Sequence, residues 1–291
     1  MAKPESLFQF DEAIQTTFLG TRDGKSVYCG RFSEKWRAGD VPHGGYAAST
    51  MLNAARHYFE GKPQSDPIAV NAFYLSKTAL GPYIIEIWDI KASKSETGYA
   101  LIYATVRQKK GYDPAPLTSI TQYDPIVYPV HCLDAVITFG NISTEQGLTY
   151  LHEPSIPPVR STLQLCKLPG GLNTLAQRMV WHVDLSHFPT TSAPGTPVLN
   201  HTMAFADSRP IDLWCLPFLS DMIIPPPALL DASMLATGWW FPTMQMEVQF
   251  KRAPRGKEVA CTFKSKYTIN GRYDIDGELW DEEGRLVATT R

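Results

Sequence analysis

The feature that most constrains the fold is an order of elements that occurs twice along the chain. In the first half, apolar residues recur at helical spacing over PHGGYAASTMLNAARHYF, at Ala47, Ala48, Met51, Leu52, Ala55, Tyr58 and Phe59. Segments typical of β-strands follow, namely IAVNAFYL, YIIEIWDI and YALIYATVRQ. The first half therefore predicts one buried helix and then an antiparallel meander.

The second half repeats this order. PIDLWCLPFLSDMII is a largely apolar predicted helix that carries Asp212 near its N-terminal end. TMQMEVQF alternates strictly between apolar and polar residues, and EVACTFKSKY, YDIDGELW and RLVATT continue as predicted strands. A sheet that is apolar on one face hides that face by curling round the helix. We therefore predict an α+β fold in which each of two antiparallel sheets wraps round a long helix.

These patterns divide the chain into three parts. Residues 1–125 form the predicted N-terminal unit, residues 176–291 form the C-terminal unit, and residues 126–175 form a linker rich in Pro and Gly. We expect a strand of the second unit within QRMVWHVDL, near the end of this stretch. A structureless connection of such length is uncommon in a compact protein.

Composition limits the classes of partner. The chain has 291 residues, 44% of them hydrophobic and 19% charged, and a formal net charge of -2. This balance gives no electrostatic reason to expect nucleic acid or a membrane as a partner. The five cysteines have no CxxC spacing, and the histidines have no metal-ligand spacing, so we predict reduced thiols and no metal. We expect a cytoplasmic location, or a peroxisomal one if the natural chain continues beyond Arg291.

One carboxylate interrupts the predicted second helix. Asp221 lies within FLSDMIIPPPALL, between apolar residues and just before three prolines, Pro225–Pro227, that stop the helix. A charge in an apolar segment is costly unless it is paired or has a function. The residues alone leave both explanations open, a structural cap or ion pair and a catalytic group.

Several segments resemble thioesterase-like proteins related to bacterial acyl-CoA thioesterase II. GRYDIDGELWDEEGRLVAT is the most specific of them, and DSRPIDLWCLPFLSDMIIPPPAL and FPTMQMEVQFKRAP support it. PHGGYAASTMLNAAR and VNAFYLSKTALGP are similar to the matching pieces of the family's N-terminal half. The resemblance implies a double hotdog, in which two such sheet-and-helix units are joined into one continuous sheet.

The resemblance also implies a site. The family's water-activating carboxylate corresponds to Asp221, and its hydroxyl partner corresponds to Thr243. A third group, a glutamine after the last strand, corresponds to the position after Arg291, and we expect the natural chain to continue there. A carboxylate that loses hydration is a better proton acceptor, whereas a threonine hydroxyl serves to orient the water.

Further residues are candidates for binding the substrate or its oxyanion. Gly44 and Gly45 precede a helix N-terminus, where free N–H groups could stabilise an oxyanion, although both are also ordinary turn residues. The other candidates are His43, Tyr46, Trp240 and Phe241. His43 is equally compatible with a surface or capping role, and the aromatic pair with packing between the units.

We therefore predict an enzyme that hydrolyses acyl thioesters, with CoA as part of the substrate and no other cofactor. Two alternatives stay open: a hotdog dehydratase or isomerase that acts on a polyketide-like substrate, and a non-catalytic acyl-chain binding protein. The absence of a GxSxG motif disfavours a serine hydrolase. A homo-oligomer is compatible with a sheet that has free edges, and the acyl chain length is left undetermined.

Overall fold

The computed structural model describes residues 7–95, 97–111, 117–151, 156–166, 173–236 and 241–291. The helices are α1 Gln9–Ala13, α2 Gly44–Tyr58, α3 Asn173–Ala176, α4 Leu216–Asp221 and α5 Ala232–Ala236. The strands of the first half are β1 Thr17–Arg22, β2 Lys25–Phe32, β3 Arg37–Ala38, β4 Val41–Pro42, β5 Asp66–Tyr74, β6 Gly81–Lys91, β7 Ala100–Gln108 and β8 Val130–Gly140. Those of the second half are β9 Gln164–Leu165, β10 Met179–Val183, β11 Val198–Phe205, β12 Gln245–Phe250, β13 Glu258–Lys264, β14 Thr268–Ile269, β15 Arg272–Tyr273, β16 Asp276–Asp281 and β17 Leu286–Thr290.

Within the described residues, thirteen of these strands form a single sheet in the order β1-β2-β6-β7-β8-β5-β12-β17-β16-β13-β11-β10-β9. The order is the same when it is followed outwards from the central pair, β5 and β12, in either direction. Within this sheet, a hairpin, a helix and four further strands follow one another in both halves of the chain; the last three of the four form a meander, and the first, β5 or β12, pairs with the last, β8 or β17. The predicted duplication is thus present in the connectivity, and all the pairings within the sheet are antiparallel.

The two halves are joined in the middle of the sheet. Strands β5 and β12 pair antiparallel, with Val70 opposite Val248 and Phe73 opposite Gln245. The backbone N–H of Tyr74 also donates to the carbonyl of Met244, which extends the pairing by one step. This junction fixes the end of β5 beside the residues that precede β12.

Helix α2 forms as predicted and is the centre of the first half. Its residues from Gly45 to Ala55 are all buried, because the sheet encloses one side and α4 covers another. Arg56 and His57 lie in its last turn, where positive charge interacts favourably with the helix dipole. The apolar stripe read from the sequence therefore marks only part of a helix that is buried nearly all round.

The second helix is much shorter than predicted, which corrects the expectation of a long helix in each half. A 3-10 turn over Leu213–Cys215, capped by the Asp212 carboxylate, leads into α4, which has six residues. Met222 then leaves the helical region, with φ -83° and ψ 70°, ahead of the three prolines. The prolines prevent any continuation, so the apolar run continues as a buried, mostly non-helical segment.

Among the described residues, Leu213–Leu230 is the one stretch long and apolar enough to cross a membrane by length and composition. Within the fold 72% of it is buried, and Phe218, Leu219 and Leu229 have no exposed surface. Packing inside the protein accounts for the apolar character of this stretch.

The predicted linker over 126–175 is wrong in its first part. Strand β8 lies within it and pairs along its length with both β5 and β7, so it is a central strand of the first half. The Pro-rich segments on either side obscured the alternation of Leu133, Ala135, Ile137 and Phe139, which face the core. The strand expected within QRMVWHVDL is confirmed as β10.

Residues 117–128 cover the outer face of the first half. Tyr123 and Tyr128 are buried there against Val27, Cys29 and Ile84, which form a second, smaller apolar cluster. The first half therefore carries apolar side chains on both faces of its sheet, and part of the predicted linker serves as the cover.

Candidate active site

Asp221 is the last residue of α4, and its carboxylate lies at the contact between the two halves. Its side chain is 12% exposed. One oxygen, Oδ2, accepts a hydrogen bond of 2.6 Å from the backbone N–H of Gly45. The other, Oδ1, accepts one of 2.9 Å from the hydroxyl of Thr243. Both carboxylate oxygens are thus held by donors, and neither donor comes from the helix that carries the aspartate.

Thr243 lies just before β12, at the junction of the central strands. Because its hydroxyl donates to Asp221, the lone pairs of Oγ1 stay available to accept a hydrogen bond from a third molecule. A water beside this pair could donate one hydrogen bond to the carboxylate and one to Oγ1. The structure thus brings together the two residues that the sequence analysis predicted to act on water.

Gly44 and Gly45 begin α2, and both lie against Asp221. A Cβ atom on Gly45 would come within 2.5 Å of the Pro217 carbonyl and 2.8 Å of the Phe218 Cα. A Cβ on Gly44 would come within 2.7 Å of the Asp221 Oδ2. Glycine at these positions allows α2 and α4 to approach closely. The N–H of Gly45, which we predicted to face an oxyanion, instead holds the carboxylate.

His43 is the N-cap residue of α2 and is 5% exposed. Its Nδ1 lies 3.5 Å from Oδ2 of Asp221 and makes no hydrogen bond in the described part of the chain. Burial lowers the pKa of His43 below its usual 6.5, and the nearby Asp221 opposes that shift only in part. The ring is therefore neutral at pH 7 and can donate or accept one hydrogen bond at each nitrogen.

The other three predicted binding residues have different surroundings. Tyr46 is fully buried in the aromatic core, and its hydroxyl donates to the Ala13 carbonyl and accepts from the Ser33 N–H. We therefore leave Tyr46 out of the site, because core packing and these two bonds account for it. Phe241 is half-buried, with its ring 6.3 Å from that of Tyr273. Trp240 lies outside the described residues.

Two tyrosines near Asp221 were missed by the sequence analysis. Burial, and after it the charge of Asp221, raises the pKa of Tyr74 well above 10 and that of Tyr273 to about 12. Tyr74 lies on the same face of β5 as Val70 and Ala72, which face the core. This alternation is the signal by which the sequence could have identified Tyr74 as an inward-facing residue. Tyr273 lies on the short hairpin of β14 and β15, and no pattern in the sequence marks it.

The described residues bring together no group of three or more His, Cys, Asp or Glu side chains that could hold a metal ion. The polar groups around Asp221 are instead a threonine hydroxyl, a backbone N–H, an imidazole and two phenols. This set consists of hydrogen-bond donors and acceptors around one carboxylate, which suits the positioning of water and a polar substrate group.

Comparison with known sequences identifies the family of this chain. The profile of the acyl-CoA thioesterase N-terminal domain matches residues 32–124, and that of the C-terminal domain matches residues 154–291. The chain belongs to the acyl-CoA thioesterase family. Asp221 and Thr243 fall in the C-terminal domain of this family, whereas His43, Gly44 and Gly45 fall in its N-terminal domain.

Individual relatives of this thioesterase-family chain are distant. The thioesterase-like protein TwmA of Talaromyces wortmannii is 24% identical over 322 residues, which cover 96% of this chain and 89% of TwmA. The acyl-CoA thioesterase II TesB2 of Mycobacterium marinum is 12% identical, with a TM-score of 0.68 over 97% of this chain and 95% of its own.

A third similar protein identifies the fold class. A conserved protein with a hot dog fold from Alicyclobacillus acidocaldarius is 20% identical, with a TM-score of 0.72 over 98% of this chain and 96% of its own. At these identities the structural likeness establishes the hotdog fold alone.

Proposed function

We propose that this protein hydrolyses acyl thioesters, with CoA as the carrier, by means of a water held between Asp221 and Thr243. The observation that carries the proposal is the 2.9 Å bond from the Thr243 hydroxyl to Asp221, formed where the two halves meet. Membership of the acyl-CoA thioesterase family supports the reaction class.

The proposed reaction uses Asp221 as a general base. The water donates one hydrogen bond to Asp221 and the other to the lone pair of Thr243 Oγ1, which orients its oxygen towards the thioester carbonyl carbon. As the C–O bond forms, Asp221 takes the first proton. When the C–S bond breaks, that proton passes to the leaving sulfur, so the products are a carboxylic acid and a free thiol.

The remaining predicted residues have supporting roles in this proposal. Gly44 lets the start of α2 lie against the Asp221 carboxylate, since a Cβ there would come within 2.7 Å of Oδ2. His43 and Phe241 contact the substrate beside that carboxylate, and Trp240 remains a predicted wall of the acyl site. CoA is part of the substrate, and no separate cofactor is required.

One observation favours a second candidate, a hotdog dehydratase or isomerase. Such chemistry needs a histidine to move a proton at the carbon next to the carbonyl, and the neutral His43 lies 3.5 Å from Asp221. In that reaction the thioester would stay intact. The Thr243–Asp221 bond has no part in it, which is why we rank hydrolysis first.

The test is turnover of a panel of acyl-CoAs of increasing chain length, followed by release of free thiol. We expect Asp221→Asn to lower turnover by about 10²-fold or more, because an amide cannot accept the proton. Asp134→Asn is the matched control, since this carboxylate also accepts from a hydroxyl, that of Tyr103, but projects from the opposite face of the sheet. It should leave turnover unchanged.

Each rival function predicts a different result in the same assay. Wild-type turnover in Asp221→Asn would remove this residue from the mechanism. Tight binding of acyl-CoA without thiol release would identify a binding protein. Loss of water from a 3-hydroxyacyl-CoA with the thioester intact would identify a dehydratase.

A further inference from the structure

The hydroxyl of Tyr74 is a polar group beside Asp221 that the reaction described above does not use. Its oxygen is buried and has no hydrogen-bond partner among the described residues. A buried hydroxyl without a partner lowers the stability of the folded chain. A phenylalanine would fill the same space without that cost, so the presence of a tyrosine indicates that a ligand completes its hydrogen bond.

The position of Tyr74 is fixed relative to the proposed base and its threonine. Its backbone N–H donates to the carbonyl of Met244, the residue after Thr243, at 3.0 Å. Its ring atoms Cε1 and Cζ lie 3.3 and 3.5 Å from the point where a Cβ on Gly44 would stand, and Asp221 Oδ2 lies 2.7 Å from the same point. The Tyr74 ring and the Asp221 carboxylate therefore both lie against Gly44, at the start of α2.

The reaction needs a donor for the oxygen that becomes negative. The N–H of Gly45, which the start of a helix would otherwise offer, already donates to Asp221. Nδ1 of His43 also faces that carboxylate. The hydroxyl of Tyr74 stays protonated at every working pH, because burial and the Asp221 charge hold its pKa well above 10. It can therefore donate throughout the reaction.

We propose that Tyr74 donates a hydrogen bond to the carbonyl oxygen of the bound acyl group and stabilises the oxyanion formed when water attacks. The inference rests on the proposed acyl thioester substrate. Tyr74 then polarises the carbonyl of the substrate. As a result, the protein should bind ligands that have an oxygen at the place of this carbonyl oxygen more tightly than ligands that lack one.

Two unreactive CoA thioethers test this directly. One carries a ketone in its alkyl chain next to the carbon bonded to sulfur, and the other has the same chain without the ketone. We expect Tyr74→Phe to weaken binding of the ketone compound about tenfold, as loss of one hydrogen bond predicts, and to leave binding of the alkyl compound unchanged. Turnover of acyl-CoA should fall by about 10²-fold, mainly in kcat.

Tyr103→Phe is the control, because it also removes a phenol hydroxyl from the same half of the protein, one that donates to Asp134 on the outer face of the sheet. It should bind both thioethers as the wild type does. Thermal unfolding of Tyr74→Phe should show a stability equal to or above that of the wild type, since an unpartnered hydroxyl is removed.

The failures of the two proposals are separable. If the wild type releases thiol but Tyr74→Phe weakens both thioethers equally or neither of them, the role of Tyr74 is overturned while hydrolysis stands. If the wild type hydrolyses nothing but the ketone preference is present and is lost in Tyr74→Phe, hydrolysis fails and the carbonyl contact stands. A wild type that binds neither thioether overturns the inference.

Discussion

The backbone N–H of Gly45 donates a 2.6 Å hydrogen bond to the Asp221 carboxylate, although the two residues are 176 positions apart. The first turn of the long helix in one half thus positions the acidic residue that ends the short helix of the other half. A helix N-terminus stabilises a negative charge through its free N–H groups and its dipole. The arrangement around Asp221 therefore requires both halves of the chain.

Replacement of Gly45 by alanine should disrupt this contact. The new Cβ would lie 2.5 Å from the Pro217 carbonyl and 2.8 Å from the Phe218 Cα, and backbone atoms cannot move aside cheaply. We expect Gly45→Ala to lower the free energy of unfolding by about 1–3 kcal/mol, as overpacking does, and to reduce turnover. Urea denaturation and the thiol assay measure the two effects. A variant with wild-type values in both would contradict the close contact.

Gly44→Ala is a useful comparison with Gly45→Ala. Its new Cβ would meet side-chain atoms of Asp221 and Tyr74, which can shift more easily than backbone. We expect a smaller loss of stability than in Gly45→Ala but a loss of turnover of at least about tenfold, because the new Cβ would displace the Asp221 carboxylate from the position in which it holds the water. Equal loss of stability in the two variants would contradict the distinction between a side-chain contact at Gly44 and a backbone contact at Gly45.

Two substitutions of Thr243 distinguish the effect of its hydroxyl from the effect of its side-chain volume. Thr243→Ser keeps an oxygen that can donate to Asp221, whereas Thr243→Val keeps the volume and removes the oxygen. We expect valine to reduce kcat about tenfold or more with little change in KM, because the water loses an orienting contact, and serine to stay within a few-fold of wild type. Equal activity of the two variants would exclude a role for the hydroxyl.

The sequence predicted the helix α2 and the strand β12 well because each has a clear period, close to 3.6 residues in one and two residues in the other. Asp221 and Thr243 could be named because they lie in segments that resemble the family. Their contact could not be predicted, since it depends on how the chain brings a helix end and a strand start together across the junction.

The failures of the sequence analysis have physical causes. The run from Leu213 to Leu230 is apolar because it is buried, and burial does not require a helix, so its composition indicated a helix longer than the prolines allow. Strand β8 was assigned to a linker because Pro-rich segments flank it. Tyr74 was missed because its hydroxyl matters only through a neighbour, Asp221, that is distant in sequence.

A buried carboxylate on the outer face of the first half holds its cover in place. Glu86 is 3% exposed, accepts 2.8 Å from the Tyr123 hydroxyl and lies 3.1 Å from Lys25 and 3.4 Å from Arg107. We expect Glu86→Gln to lower the free energy of unfolding by about 2 kcal/mol, since the largely buried Arg107 and the partly exposed Lys25 lose their charged partner. Glu283→Gln, which removes the half-exposed partner of Arg255 and Arg285, should cost less than about 1 kcal/mol. Equal midpoints in urea for both variants would contradict the structural role of Glu86.

His201 has the most unusual environment of the histidines for which the structure gives a pKa shift. It has no exposed surface, its ring lies 5.6 Å from that of Trp181 and 5.5 Å from that of Phe263, and neither ring nitrogen has a hydrogen-bond partner among the described residues. Burial lowers its pKa from 6.5 to about 3. The native protein therefore keeps this ring neutral under conditions in which the unfolded chain takes up a proton.

This difference predicts loss of stability in acid. Above pH 6.5 the ring is neutral in both states and costs nothing, whereas between pH 6.5 and 3 only the unfolded chain binds the proton, so stability falls as pH falls by about 1.4 kcal/mol per unit. By pH 5 the loss due to His201 is about 2 kcal/mol. His201→Phe removes the contribution of this histidine to the pH dependence. The difference in unfolding free energy between pH 7.5 and 5.0 should therefore be about 2 kcal/mol smaller in this variant than in the wild type. Urea denaturation at each pH measures this difference. His131→Phe, on a half-exposed ring, is the control for a general effect of losing a histidine. If both variants show the same change with pH, His201 is not the source of the acid sensitivity.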